Sequence, residues 1–369
     1  MGRRGQLLLL AAASLACLGF GPPVLVEKDA GGEHFGPAET AAYLAWAQPP
    51  EPGAKAALLG DPETGQVLLA KNAHERLPMA STTKVMTALL VLEQAQLSDL
   101  VTVSSVAAFT GGQMVGFVPG EQLTVLELLY GLMLHSGNDA ASALAEHVGG
   151  SAAEFVARMN VRAQELGMVD THFVNPHGLD ADGHYSSAHD LWLLTRAALQ
   201  IPVFREIVAT AEYSGAGRRY ANLNELLGAY PGADGVKTGT TEWAGECLIA
   251  SASSQGHQWV TVVLDSPDRY ADTRLLLSYA HQTYRWLPVR LRGRALSQVA
   301  WQGQPCRLAL EPAPDRPLPA WQAAQVRPFR RVTADPKASS LLAAVEFYVG
   351  DALLLSQPLR LVCPNEGSG

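Results

Sequence analysis

The chain has 369 residues, 48% hydrophobic and 17% charged, which excludes a mainly disordered polypeptide and leaves room for one large domain with appendages or two domains. Lys plus Arg number 27 against 35 for Asp plus Glu, so 27 − 35 gives a formal net charge of −8. A nucleic-acid partner needs a clustered basic face, and this balance argues against one. The lysines are Lys28, Lys55, Lys71, Lys84, Lys237 and Lys337, few enough that a lysine inside a motif carries weight.

Residues 1–28 read as a signal peptide. Arg3 and Arg4 precede an apolar run from Leu7 to Phe20. At about 14 residues that run suits an export signal and is short for a membrane span of roughly 20. The expected location is therefore outside the cytoplasm, in the cell envelope. No clear cleavage point follows: Ala45-Trp46-Ala47 has the small-x-small form but lies far downstream, which leaves membrane association through an uncleaved segment open. Cys17 is a weak match to a lipid-modified cysteine. Gly, Pro and Ala dominate residues 29–52, a linker. Without Cys17, three cysteines remain. Cys306 and Cys363 can pair if their strands meet, and Cys247 in its apolar run reads as a core thiol. No His/Cys cluster has metal-ligand spacing, and no metal or cofactor is expected.

A hairpin comes next, Ala56 to Leu59 and Gln66 to Ala70 around the turn Asp61-Pro62-Glu63-Thr64-Gly65. Ser81 to Gln94 has a helical period, and helix patterns follow at 121–135, 138–148, 151–167 and 187–200. Strand-like runs at Cys247 to Ser253 and Gln258 to Asp265 flank a turn, and 270–286 reads as an amphipathic helix. Strands, an inserted helical block, then strands and a helix make an α+β catalytic domain over 53–287. Past residue 288 prolines become frequent, and Val345 to Val349 with Leu353 to Leu361 reads as a hairpin around Gly350-Asp351, so 288–369 is a small C-terminal β-rich domain.

Three motifs occur in order: Ser81-Thr82-Thr83-Lys84, Ser136-Gly137-Asn138 and Lys237-Thr238-Gly239-Thr240. A serine hydroxyl needs a partner to take its proton, and a lysine one helical turn away can do so once burial disfavours its ammonium form. The Ser81 N–H, at a helix start, is free for an oxyanion. Ser136 can relay a proton and Asn138 can hold Lys84 and the substrate backbone. Lys237 and Thr238 make a cation-plus-hydroxyl site for a free carboxylate, Gly239 permits close approach of an extended substrate, and the Thr240 N–H supplies a second oxyanion donor. Each motif alone is weak: an exposed helix face, a polar cap and a solvated strand edge explain them singly. Their joint order, separated by 136 − 84 = 52 and 237 − 138 = 99 residues, points to one acyl-transfer site.

On these motifs, with Val118-Pro119-Gly120-Glu121 and Asn175-Pro176-His177-Gly178-Leu179-Asp180, the chain resembles the low-molecular-weight penicillin-binding D-alanyl-D-alanine carboxypeptidases over about residues 54–286. The resemblance implies the β-lactamase/transpeptidase-like α+β fold, a peptidoglycan stem peptide as substrate and β-lactams as covalent inhibitors. It implies Ser81 as nucleophile, Lys84 as base, Ser136 and Asn138 in proton transfer, and Lys237 and Thr238 on the substrate carboxylate. His177 is expected either beside the cleft, acting on deacylation, or bonded to its own turn. The chain departs from the family pattern in two places. The residues up to Gly369 are not expected to form the C-terminal amphipathic anchor that some members carry, and where some members have an arginine upstream of the Lys-Thr-Gly strand this chain has Leu223, with Arg218 and Arg219 nearby. A β-lactamase is the nearest rival, but Gly137 replaces its aspartate and no glutamate has the Glu-x-x-Leu-Asn context. A non-catalytic wall-binding protein is the remaining alternative, disfavoured because nucleophile and base are both intact.

Overall fold

The computed structural model describes residues 24–25, 47–289, 298–301, 304–334, 341–349 and 351–363. The expected signal segment apart from Val24 and Leu25, Cys17, most of the expected linker, Gly350 and the residues from Pro364 lie outside them. Two compact units result, one of Ala41–Trp286 and one that gathers Leu287–Gly369 with the N-terminal residues.

The larger unit opens, after the two-residue strand β1 (Val24–Leu25) of the other unit, with β2 (Ala56–Gly60) and β3 (Val67–Lys71). A short 3-10 turn, Ala80–Thr83, leads into α1 (Lys84–Gln94), where a continuous α-helix from Ser81 was expected. The cause is local. Thr82 Oγ1 and Thr83 Oγ1 donate back to the carbonyls of Met79 and Ala80 at 2.6 and 2.8 Å, tightening the turn before the helix proper begins. The helical block continues with β4 (Leu100–Thr102), α2 (Ser105–Ala108), β5 (Gln122–Thr124), α3 (Val125–Met133), α4 (Asn138–Gly149), α5 (Ala152–Glu165), α6 (Ala188–Ala198) and α7 (Pro202–Ala209). The helix expected from 121 starts later because Gln122 to Thr124 pair with β4, and Thr124 and Glu127 form a capping box that fixes the start of α3.

After the hairpin β6 (Glu212–Gly215) and β7 (Arg218–Ala221), the chain returns to the main sheet in β8 (Ala233–Thr241), β9 (Gly245–Ser254) and β10 (His257–Ser266), and α8 (Arg269–Thr283) closes it. The sheet is antiparallel, in the order β3-β2-β10-β9-β8, so β8 is an edge strand. Both faces of its centre are buried. Along β2, Ala56 and Leu58 join the core under the helical block, while Ala57 and Leu59 join the cluster under α8. Burying each such leucine contributes roughly 1.5–3 kcal/mol. That double burial makes the sheet a rigid platform, with α1 on one side and the free edge of β8 beside its start.

In the smaller unit, β13 (Val326–Ala334), β14 (Leu341–Val349) and β15 (Ala352–Val362) form a meander that β1 extends at one side and β12 (Gln304–Leu310) and β11 (Gln298–Trp301) at the other. Its core contains Leu308, Val345, Phe347 and Leu359. β12 pairs with β15, which brings Cys306 and Cys363 together in a disulfide. Cys247 is free and buried, and burial pushes its thiol up to about 12. No helix among the described residues is long and apolar enough to cross a membrane.

Candidate active site

Ser81 lies in the 3-10 turn and Lys84 is the first residue of α1, which sets Lys84 Nζ 2.8 Å from Ser81 Oγ. Lys84 is fully buried. Its other partners are Asn138 Oδ1 at 2.7 Å and the carbonyl oxygen of His177 at 2.5 Å. Those two groups only accept, whereas a hydroxyl can also donate. A neutral amine therefore gives its two N–H bonds to Asn138 and His177 and turns its lone pair to Ser81. Burial, reinforced by the charge of Lys237 and opposed by that of Asp139, holds the Lys84 pKa well below its usual value.

The Ser136-Gly137-Asn138 loop joins α3 to α4. Ser136 is buried and holds a φ of +63°, a conformation that a non-glycine residue adopts only when its surroundings dictate it. Gly137 N donates to Gly131 O at 3.0 Å and Asn138 N to Gln113 O at 2.7 Å. Asn138 Nδ2 donates to Gly111 O at 2.8 Å, which fixes the amide with its oxygen on Lys84. Asp139 secures the facing loop by accepting from the amides of Val115, Gly116 and Phe117, and it accepts from Ala140 N as well. Its oxygens are thus occupied by backbone donors.

The third motif lies on the edge strand. A Cβ at Gly239 would stand 3.0 Å from both Ala80 Cβ and Ser81 N, so glycine is what lets β8 approach the Ser81 turn. On the other side, a Cβ at Gly178 would fall 2.0 Å from Ala80 O, and Ala80 itself has a φ of +47°. Lys237 and Thr238 are buried at this edge, and Lys237 Nζ donates to Thr238 O at 3.0 Å. Burial, with the nearby charge of Arg269, lowers the Lys237 pKa to about 7.

Arg269 escaped the sequence reading. Its Nη1 donates to Gly239 O at 2.9 Å and to Thr240 Oγ1 at 2.7 Å, so its guanidinium stands at the same strand. It opens α8 behind the N-cap Asp268, thirty residues past Gly239, and only the β9–β10 return brings it back. Arg218 and Arg219, the arginines near Leu223, are instead paired with Glu121 and Glu212.

His177 contributes its backbone to Lys84, while its ring accepts from Leu179 N at 3.2 Å, within its own turn. Burial pushes its pKa down to about 3. His184, also unforeseen, bridges two segments. Its Nδ1 accepts from Val174 N at 3.0 Å, leaving Nε2–H to donate to Thr83 Oγ1 at 2.9 Å. Burial lowers its pKa to about 4. Among the described residues no cluster of His, Cys, Asp and Glu can hold a metal ion.

The D-alanyl-D-alanine carboxypeptidase profile matches residues 44–268. D-alanyl-D-alanine carboxypeptidase DacF of Bacillus subtilis is 39% identical over 259 residues, 67% of each chain. DacD of Salmonella typhimurium is 34% identical over 351 residues, 88% of this chain and 90% of that one. Among solved structures, penicillin binding protein 6B of Escherichia coli superposes with a TM-score of 0.71 at 31% identity, covering 84% of this chain and 96% of the other. The D-alanyl-D-alanine carboxypeptidase of Mycobacterium tuberculosis gives 0.60 at 35% identity, over 63% and 92%. With a profile match over more than half of its length and relatives of this kind, the chain belongs to the D-alanyl-D-alanine carboxypeptidase family.

Proposed function

We propose that this chain is a serine-type D-alanyl-D-alanine carboxypeptidase that removes the terminal D-alanine of peptidoglycan stem peptides through an ester on Ser81, and that β-lactams acylate the same hydroxyl. The observation that carries the reading is the buried Lys84 amine, 2.8 Å from Ser81 Oγ with its other two partners both acceptors. Neutral Lys84 takes the Ser81 proton as Oγ adds to the penultimate D-alanine carbonyl. The Ser81 and Thr240 amides receive the oxyanion. As the C–N bond breaks, the proton held on Lys84 passes through Ser136 to the departing D-alanine nitrogen. Water then adds to the ester, Lys84 takes its proton, and Ser81 recovers its hydrogen. Asn138 orients Lys84, while Lys237, Thr238, Gly239 and Thr240, backed by Arg269, hold the substrate carboxylate and strand.

Two features support work outside the cytoplasm: the basic-then-apolar N-terminus and the Cys306–Cys363 disulfide, which suits an oxidising compartment. In this reading residues 53–287 are the catalytic domain and 288–369 a β-rich appendage. The test is D-alanine release from a diacyl-L-lysyl-D-alanyl-D-alanine peptide. Release by the wild type and its loss in Ser81→Ala is the expected result; equal release by both would overturn the assignment.

A further inference from the structure

Resting on that reading, a second feature concerns which substrates the cleft prefers. A peptide whose C-terminal carboxylate sits at Lys237, Thr238 and Arg269 and whose last amide faces Gly239 can pair only with the free edge of β8. Its preceding residues must then run past Thr240 and Thr241 toward the β8–β9 turn, advancing about 3.3 Å per residue. At that turn stands Trp243, 55% exposed. Two other tryptophans of this unit, Trp192 and Trp259, are buried, as the cost of wetting so large a ring leads one to expect.

The turn that presents Trp243 is fixed. One oxygen of Asp180 accepts from Thr241 Oγ1 at 2.7 Å and the other from Trp243 N at 3.1 Å, while Ala244 N donates to Thr241 Oγ1 at 3.2 Å. Ala244 is buried, and Gly245, at φ +62°, would drive a Cβ to 2.6 Å from Asp265 Oδ1. Asp180 ends the segment that includes His177, whose carbonyl oxygen holds Lys84. The indole is thus tied to the wall of the reaction cleft through backbone and carboxylate contacts. Among the described residues its ring makes no ring contact and no hydrogen bond of its own.

We infer that Trp243 is a specificity-determining residue: a fixed aromatic wall on which the side chain of the substrate residue preceding the D-alanyl-D-alanine packs. The chemistry it selects is a long aliphatic stem at that position over a small residue, because a methyl group or hydrogen offers little apolar surface for the ring to cover. The residue touches neither Ser81 nor Lys84, so the acylation chemistry itself is not altered by its removal.

The test compares two peptides, diacetyl-L-lysyl-D-alanyl-D-alanine and acetyl-glycyl-D-alanyl-D-alanine, on the full chain as wild type, Trp243→Ala and Trp243→Phe. The expected result is a loss of about tenfold in kcat/KM for the lysyl peptide in Trp243→Ala, carried by KM, which is what uncovering roughly 60 Å² of apolar contact gives. Trp243→Phe should restore most of it, and the glycyl peptide should be indifferent to both substitutions. Equal losses on the two peptides, or none on the lysyl peptide, would overturn the role of Trp243 while leaving the carboxypeptidase reading intact. A wild type that releases D-alanine from neither peptide would overturn both.

Discussion

Gly239 has no side chain because Ser81 stands where one would begin: a Cβ on the strand would lie 3.0 Å from Ser81 N and 3.1 Å from Thr82 N. The Ser81 turn and β8 are therefore set against each other by the absence of an atom. Gly239→Ala should push β8 and the Ala80–Thr83 turn apart. A displacement of about 1 Å in a reacting pair costs on the order of a hundredfold in rate. The expected outcome is that loss in penicillin acylation rate with a native circular dichroism spectrum.

The two lysines give opposite limbs to the pH profile. In the proposed mechanism Lys84 is the base, so kcat/KM should rise with pH through its depressed pKa. Lys237, proposed to hold the substrate carboxylate as a cation, has a free-enzyme pKa of about 7 and loses its charge above that value. Peptides carrying a free carboxylate should thus show a bell-shaped kcat/KM whose alkaline limb is mainly a rise in KM. In Lys237→Met that limb should disappear together with about a hundredfold of kcat/KM. A profile that keeps the limb would assign it to another group.

His184 makes stability depend on acid. Its folded pKa of about 4 lies below the unfolded value near 6.5, so between those values the unfolded chain binds the proton and the folded chain does not. Stability is therefore lost as pH falls from about 6.5 to 4, by on the order of 3 kcal/mol at ~1.4 kcal/mol per pH unit. His177 shifts in the same direction. Urea midpoints at pH 7 and 4.5 should differ less in His184→Gln than in the wild type. His184→Ala, which strips a buried partner from both Thr83 Oγ1 and Val174 N, should cost about 2 kcal/mol at pH 7.

The Cys306–Cys363 bridge spans 57 residues of sequence, and closing such a loop restrains the unfolded chain by about 4 kcal/mol in the chain-entropy account. Reduction should lower the melting temperature of the β unit. D-alanine release should be unchanged, since the Ser81 site as described is built from residues of the Ala41–Trp286 unit. Parallel loss of activity on reduction would show that the β unit is required for catalysis.

How much of this was legible in the sequence depends on how far apart the cooperating residues lie. The Ser81–Lys84 pair was readable because a helical turn fixes it, and the helices over 138–149 and 152–165 because their apolar period is long. The α+β order followed from the succession of strands and helices. Arg269 and His184 were not legible: the first reaches Gly239 through an antiparallel return and the second reaches Thr83 across 101 residues. No local pattern records such meetings. The 3-10 turn at Ala80–Thr83 was missed for a smaller reason, since two threonine hydroxyls bonding back to the chain override the helical period.

The central claim is that Lys84 delivers Ser81 as a nucleophile that forms a slowly hydrolysed ester, and intact-mass analysis of the purified chain over time with penicillin tests it most directly. A one-to-one adduct on Ser81 is expected, persisting well after free drug is removed and absent in Ser81→Ala. Rapid decay of the adduct with release of hydrolysed drug would contradict it in favour of a β-lactamase, and no adduct on folded protein would contradict catalysis at this site altogether.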